Sequence, residues 1–400
     1  MKSGFRGLIA AAALVLAAGS AHAADALKIG VLTDMSGPYA DVVGTGTVAA
    51  VKLAVEDMGG KVRGMPIEVV SADTQNKPDV ASALARQWLD QGVDVLLGGS
   101  SSAAGLAIQA VAKEKKHIFL ITDSASSDFT GKQCSPYGIH FGYDTYALSN
   151  GTAKAIVKQG GKTWYFLTVD YAFGYALERD ASRFVEAAGG KVLGSVRHPL
   201  GASDFSSYLL QAQASKAQVI GLANASTDEV NAIKAANEFG ITAGGQRLAA
   251  LLIFITDVES LGLKTAHGLD LTTSFYWDLN DKTRAWTKRF VKAHGKIPTM
   301  TQAAAYSAVL HYLQAVKASG TKDPTKVAAT MKATPINDMY NTNVKIRPDG
   351  RVLNTMYLME VKSPAESKYP HDDYKVLAKL PGDQAFRPMS EGGCPFVEKK

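Results

Sequence analysis

Cysteine is nearly absent: two occur in 400 residues, at Cys134 and Cys394, and they form no C-x-x-C pair. That spacing leaves no support for a thiol redox motif or a cysteine zinc site. The eight histidines are dispersed and include no H-x-x-x-H or H-E-x-x-H, so no metal site is expected. No Walker A lysine and no G-x-S-x-G elbow are present. "GTGTVA" (Gly44–Ala49) fits a dinucleotide pattern only formally, because it lies about a dozen residues beyond its strand, where phosphate binding needs the turn directly after it. No cofactor is therefore expected. Charge of one sign is also lacking: 43 Lys and Arg face 37 Asp and Glu. Runs such as Lys113, Glu114, Lys115, Lys116 read as a solvated helix face, not a nucleic-acid surface.

The one long apolar run is at the start. Lys2 and Arg6 precede "GLIAAAALVLAAG", too short to span a bilayer comfortably, and "SAHA" supplies Ala21-x-Ala23. Residues 1–23 are read as a secretory signal peptide cleaved after Ala23, which places the mature chain in the periplasm. A retained anchor is the alternative. No cysteine follows the run, which argues against a lipoprotein. Removing two positive charges lowers the formal balance from +6 to +4. Export to an oxidising compartment favours a Cys134–Cys394 disulfide, with buried free thiols as the alternative.

Four hundred residues exceed one ordinary core and suggest two domains. Strands and helices alternate from the mature start: "LKIGVLTDM", "GTVAAVKLAVEDM", "PIEVVSAD", "PDVASALARQWLDQG", "VDVLLGGSSS" and "HIFLITDSAS". A second series begins near Thr145 and runs through "KTWYFLTVD", "KVLGSVRHP", "AQVIGLAN" and "LAALLIFI" to "GLDLTTSFYW". Such alternation means α/β architecture with parallel sheets covered on both faces. No low-complexity linker divides the halves, so the joints are expected in short strand-like segments at Tyr143–Thr145, Thr273–Phe275 and Met339–Asn341.

Two strand ends carry chemistry. "GGSSSAAG" places Ser100, Ser101 and Ser102 where a strand passes into a helix, a place suited to capturing a carboxylate with hydroxyls and free N–H groups. An ordinary N-cap cluster is the plain alternative. No base is identifiable for a serine nucleophile. "FLTVDYAFGYALERD" (Phe166–Asp180) turns from strand to helix through Asp170, Tyr171, Phe173 and Tyr175, on the edge where parallel sheets bind ligands.

With "KIGV…SGP" at its start, "GGSSSA", "ITDSASSDFTG" and "DYAFG", the chain resembles periplasmic solute-binding proteins of ABC importers, branched-chain-amino-acid type, over roughly residues 27 to 360. The stretch from Ser127 to Asp180 is similar to a subgroup associated with aromatic and other carboxylates. The resemblance implies a type I periplasmic-binding-protein fold, with two Rossmann-like lobes, three crossover segments and a central cleft that closes by a hinge. Expected limits are 27–144 plus 275–339 for the first lobe, and 145–274 plus 340–400 for the second with the C-terminal tail.

Carried over residue by residue, the resemblance puts carboxylate capture at Ser101, Ser102 and Ala103 and at Ser124, Ala125 and Ser126. The relatives' ammonium-binding positions fall here at Phe173, Asn224 and roughly Leu251, with Asp257 or Glu259 as other registers for the last. Burying an ammonium there without acceptors would cost several kcal/mol. The expected ligand is thus a small carboxylate without an α-amino group. It is expected to be aromatic, because Tyr39, Tyr146, Tyr171, Phe173 and Trp277 are placed to offer rings. Expected partners are this ligand and an importer permease; a monomer, no nucleic acid and no catalysis are expected. A branched-chain amino acid, an amide or urea are alternative ligands. An extracytoplasmic serine-dependent hydrolase and a sensor subunit are alternative roles.

Overall fold

The computed structural model describes residues 26–397. The signal peptide expected over residues 1–23 lies outside the described residues, and no described helix is long and apolar enough to cross a membrane.

The first series is β1 (Leu27–Thr33), α1 (Gly44–Asp57), a short β2 (Lys61–Val62), β3 (Met65–Asp73), α2 (Pro78–Asp90), β4 (Val95–Gly98), α3 (Ser102–Glu114), β5 (Ile118–Ile121) and β6 (Gly138–His140). These strands form one sheet in the order β2-β3-β1-β4-β5-β6, parallel except for the β2–β3 hairpin. Strands β4 and β5 are buried at every position, which explains their unbroken "VLLG" and "IFLI". Helix α2 opens on Pro78 with Asp79 in its first turn, so a residue that lacks an N–H and an acid stand where the helix has spare donors.

The second series is α4 (Thr145–Lys158), β7 (Thr163–Val169), α5 (Ala172–Ala187), β8 (Lys191–His198), α6 (Ser206–Ala214), β9 (Val219–Ala223), α7 (Thr227–Glu238) and β10 (Arg247–Ala250). Its four strands run parallel in the order β10-β9-β7-β8. The apolar stretch "LAALLIFI" is only half strand. The sheet ends at Ala250, and α8 (Ile255–Leu261) begins where the Asp257 carboxylate accepts the Phe254 N–H at 2.9 Å. Leu251, Leu252, Ile253 and Phe254 are buried in the connecting loop, so their hydrophobicity serves a cleft wall and a core, not a ladder.

Beyond α9 (Leu263–Ala266) come β11 (Asp270–Thr273), α10 (Asp281–His294), α11 (Met300–Ser319), α12 (Pro324–Ala333), β12 (Met356–Val361) and β13 (Tyr374–Leu380). Strands β11, β12 and β13 form an antiparallel sheet. Helices α10 and α11 return to the first sheet's side: Arg289 holds Asp57 of α1 through two bonds of 3.0 and 2.7 Å, and Tyr306 donates to the same acid at 2.6 Å.

The chain crosses between the two parallel sheets near Tyr143 and is fastened there from below. Asp144 caps α4 by accepting the Ala147 N–H at 2.8 Å. Its carboxylate lies 3.6 Å from the fully buried Arg351, which also donates to the Tyr143 carbonyl at 3.2 Å. Burial pulls the Arg351 guanidinium down to about 10, against the pull of Asp144. Residues around Arg351 edge the first sheet, with His140 N–H donating to Gly350 and Val352 N–H to His140. Cys134 and Cys394 are joined in a disulfide across 260 residues, their Cα atoms 5.6 Å apart.

Candidate ligand-binding cleft

Every functional element converges on the carboxyl ends of the two parallel sheets. The loops after β1, β4, β5 and β6 meet those after β7, β9 and β10 around a narrow cavity. This is where parallel sheets present their ligands.

The polar end is built by a turn that only glycine permits. Gly98 and Gly99 have φ of +108° and +113°, and a Cβ on Gly98 would stand 2.4 Å from the Leu32 carbonyl oxygen. The turn delivers Ser100, Ser101 and Ser102 to the N-terminus of α3. Ser101 Oγ accepts the Ala104 N–H at 3.3 Å, so this serine is the helix cap. Ser102 Oγ accepts from the N–H groups of Ala125 (3.2 Å) and Ser126 (3.1 Å), stitching the β4 and β5 loops together. Helix geometry leaves the Ser102 and Ala103 N–H groups without intrahelical acceptors.

Asp123 stands beside these serines on the cavity wall. Its carboxylate accepts from Thr33 Oγ1 at 2.8 Å and Thr122 Oγ1 at 2.9 Å. Burial pushes its pKa up to about 6, with the two threonine hydroxyls opposing. The Tyr143 hydroxyl donates to the Asp123 carbonyl at 3.1 Å, and burial raises that phenol's pKa well above its usual range.

The other end is aromatic. Asp34 accepts the N–H groups of Gly37 (2.7 Å) and Tyr39 (2.9 Å), fixing the loop that carries Tyr39. The Tyr39 and Tyr171 hydroxyls lie 2.7 Å apart, a direct bond between the loops of the two sheets. Burial, before any charge nearby, raises both phenols. Phe173 tilts against Tyr171 with ring centroids 6.0 Å apart, and Phe254 meets the Tyr143 ring edge-on at 6.2 Å. Ser226 and Thr227 add bonds of 3.0 and 3.1 Å to the Pro38 carbonyl across the cleft.

Of the residues expected from sequence, the cavity brings together Tyr39, Ser101, Ser102, Ala125, Tyr171 and Phe173. Four are neighbours that do not line it. Ala103 lies one step inside α3. Ser124 Oγ donates to the Ser101 carbonyl at 3.0 Å, and Ser126 Oγ accepts the Asp128 N–H at 3.2 Å. Asn224 sits beside the cavity residue Ala225, but its amide donates to His198 Nε2 at 3.1 Å, inside the second sheet's core.

Tyr146 and Trp277 are not brought to this cavity. Tyr146, in the first turn of α4, packs edge-on against Phe184 at 4.9 Å with Arg183 over its ring. Trp277 donates through Nε1 to the His371 carbonyl at 2.8 Å and lines a different cavity. Val42, Val43, Asp123, Tyr143, Ala225, Leu252 and Phe254 also line the cleft cavity and are not among the residues expected from sequence. All follow strands, so strand-end position was the available signal; Phe254 was concealed because its loop reads as strand.

Three acids cluster behind the second wall without lining the cavity: Asp228, Glu229 and Asp257. Burial raises Asp228 to about 6, Asp257 to about 7 and Glu229 well above its usual range. Among the described residues, no imidazole is hydrogen-bonded to the side chains of Ser100, Ser101 or Ser102, and no group of His, Cys, Asp or Glu is arranged to hold a metal ion.

Two parallel sheets whose strand ends face each other over a small cavity, joined by crossovers, define a two-lobed binding receptor. Residues 26–368 match the family model for periplasmic binding proteins, and the chain belongs to that family. It is similar to a periplasmic binding protein from Burkholderia mallei, with 55% identity and a TM-score of 0.92 over 94% of this chain and 100% of that one. It is also similar to a branched-chain amino acid ABC transporter periplasmic ligand-binding protein from Burkholderia xenovorans LB400 (43% identity, TM-score 0.81, 92% of this chain and 99% of that one). A third likeness, at 25% identity and TM-score 0.81 over 89% of this chain and 97% of that one, is a solute-binding protein of an ABC transporter from R. palustris in complex with 4-hydroxybenzoate. The chain is thus a periplasmic ligand-binding receptor of an ABC transporter of the branched-chain type.

Proposed function

We propose that this receptor captures a small aromatic carboxylate and delivers it to the importer's membrane permease. The observation that carries the reading is the composition of the second wall. Tyr171, Phe173, Ala225, Leu252 and Phe254 line it, and none is a charged acceptor for an α-ammonium. The carboxylate docks at the Ser102 hydroxyl and the N–H groups that open α3, and the ring lies among Tyr39, Tyr171 and Phe173. The 4-hydroxybenzoate complex of the R. palustris relative supports this ligand class.

The two parallel sheets are the cores of two lobes with crossovers at Tyr143–Thr145 and Thr273–Phe275 and, because the residues around Arg351 still edge the first sheet, a third between Val352 and β12 rather than at Met339–Asn341. Contacts between the loops of the two sheets, such as Tyr39 to Tyr171 and Ser226 to Pro38, would couple ligand to closure. The receptor acts as a monomer, exported by a leader cleaved after Ala23.

A second reading rests on Asp123. An acid on the cavity wall is an acceptor for an ammonium, and the B. xenovorans relative is named for branched-chain amino acids. Thermal unfolding of the mature protein with benzoate, 4-hydroxybenzoate, leucine and urea separates the two. A ligand at about 100 times its Kd adds about 2.7 kcal/mol, a shift of several degrees. Stabilisation by the benzoates and not by leucine is expected; stabilisation by leucine alone overturns the reading.

A further inference from the structure

After its last strand the chain passes between the lobes once more. The sheet of β11, β12 and β13 sits with the second lobe: Thr152 of α4 and Thr272 of β11 have hydroxyls 2.8 Å apart, and Arg247 of β10 donates to Asp270 of β11 at 2.8 Å. From Leu380 the tail enters a short helix, α13 (Gly382–Ala385). Its Gln384 and Ala385 carbonyls accept the Asn150 amide of α4 at 2.7 and 3.2 Å. The next anchors are on the first lobe. Arg387 donates to the Ser127 carbonyl, in the loop after β5, at 2.8 Å, and Cys394 is bonded to Cys134 in the same loop. Only Phe386 stands between the two sets of anchors. It is buried, with the Arg351 guanidinium 4.3 Å from its ring, and Arg351 is the residue that holds the first crossover at Tyr143 and Asp144. The tail is also packed on the third crossover, where a Cβ on Gly382 would stand 2.1 Å from the Leu353 carbonyl oxygen.

We propose that residues 381–394 are a strap that limits how far the cleft opens, pinned to the second lobe at Asn150 and to the first at Ser127 and Cys134. The inference rests on the two-lobe reading. A hinge opens by letting a few crossover residues absorb backbone rotation. Two extended steps of chain, from Ala385 to Arg387, span at most about 7 Å, so the strap has little slack. Hydrogen bonds alone would let the tail peel away as the lobes swing. The disulfide keeps its end on the first lobe, so a wide swing must break the Asn150 bonds and draw Phe386 from beneath Arg351.

The test is double electron–electron resonance on the ligand-free mature protein, with spin labels on non-cysteine handles so that the disulfide is kept. Lys52 of α1 and Lys234 of α7, both exposed, report across the lobes; Lys52 and Gln87 of α2, within the first lobe, give the width of a rigid body. Cys134→Ser with Cys394→Ser cuts the strap at one end, and Asn150→Ala cuts it at the other. Each cut is expected to widen the interlobe distance distribution at least about twofold, measured well below the variant's melting temperature. The triple variant is expected to be no wider than either, because a strap already cut cannot be cut again. Interlobe widths unchanged by both cuts, while exceeding the rigid-body width, overturn the strap alone. Widening that adds up in the triple variant is general loosening and also overturns it. Interlobe widths equal to the rigid-body width in the wild type and every variant overturn the two-lobe reading itself.

Discussion

Asp123 is the residue on which the two ligand readings make opposite demands. Its carboxylate sits on the wall near the proposed carboxylate dock, with its pKa raised by burial from 3.8 to about 6. An anionic ligand is repelled by the ionised acid, so benzoate affinity should rise as pH falls from 7.5 to 6, by up to about tenfold per unit. An ammonium-bearing ligand needs the ionised form, so its affinity should fall over the same range. Titration calorimetry across that range reads the sign directly. Asp123→Asn should flatten the benzoate profile, leaving only what Asp228 and Asp257 contribute from behind the wall. For folding, the raised pKa means the native state holds more protons than the unfolded one between 3.8 and about 6, so this group's contribution to stability declines as pH rises through that window. Ser102→Ala removes the hydroxyl that joins the β4 and β5 loops. The Ala125 and Ser126 N–H groups lose their acceptor, so about 1–3 kcal/mol of stability should be lost in urea unfolding, and loss of the hydroxyl's bond to the carboxylate should weaken benzoate binding about 5–10-fold, as titration will show.

At the scale of elements, the site depends on turns more than on the elements they connect. Gly98→Ala forces a Cβ into a φ of +108° and against the Leu32 carbonyl. A loss of about 1–3 kcal/mol is expected in urea unfolding, together with weakened ligand binding because the same turn presents Ser100 to Ser102. The strand-helix rhythm was legible in the sequence because buried parallel strands must be continuously apolar, and "VLLG" and "IFLI" are. The serine turn was legible because a glycine pair followed by hydroxyls at a helix start has the chemistry of a cap or an anion site. Phe254 was not. In "LAALLIFI" the apolar run continues past the last strand residue, and hydrophobicity alone cannot tell a ladder from a cavity wall. Tyr146 and Trp277 were expected to offer rings to the ligand, yet which way a ring turns is decided by partners remote in sequence, Phe184 for one and His371 for the other.

For the whole molecule, the tail matters. The Cys134–Cys394 bond spans 260 residues and ties the last residues to the loop after β5. Removing it with Cys394→Ser should cost about 2–5 kcal/mol of stability in chemical unfolding, chiefly by freeing the unfolded chain. Ligand affinity should change far less, since neither cysteine lines the cavity. The central claim concerns a ligand without an ammonium, and a matched pair of acids tests it most directly. Phenylacetate and phenylglycine differ only by the α-ammonium, and calorimetric titration of each into the mature protein at pH 7.5, with benzoate alongside, measures what that group is worth. Phenylacetate is expected to bind at least about 100-fold more tightly, the ~2.7 kcal/mol that a buried ammonium without a partner readily costs. Equal or tighter binding of phenylglycine would contradict the claim and make Asp123 the anchor of an amino-acid receptor.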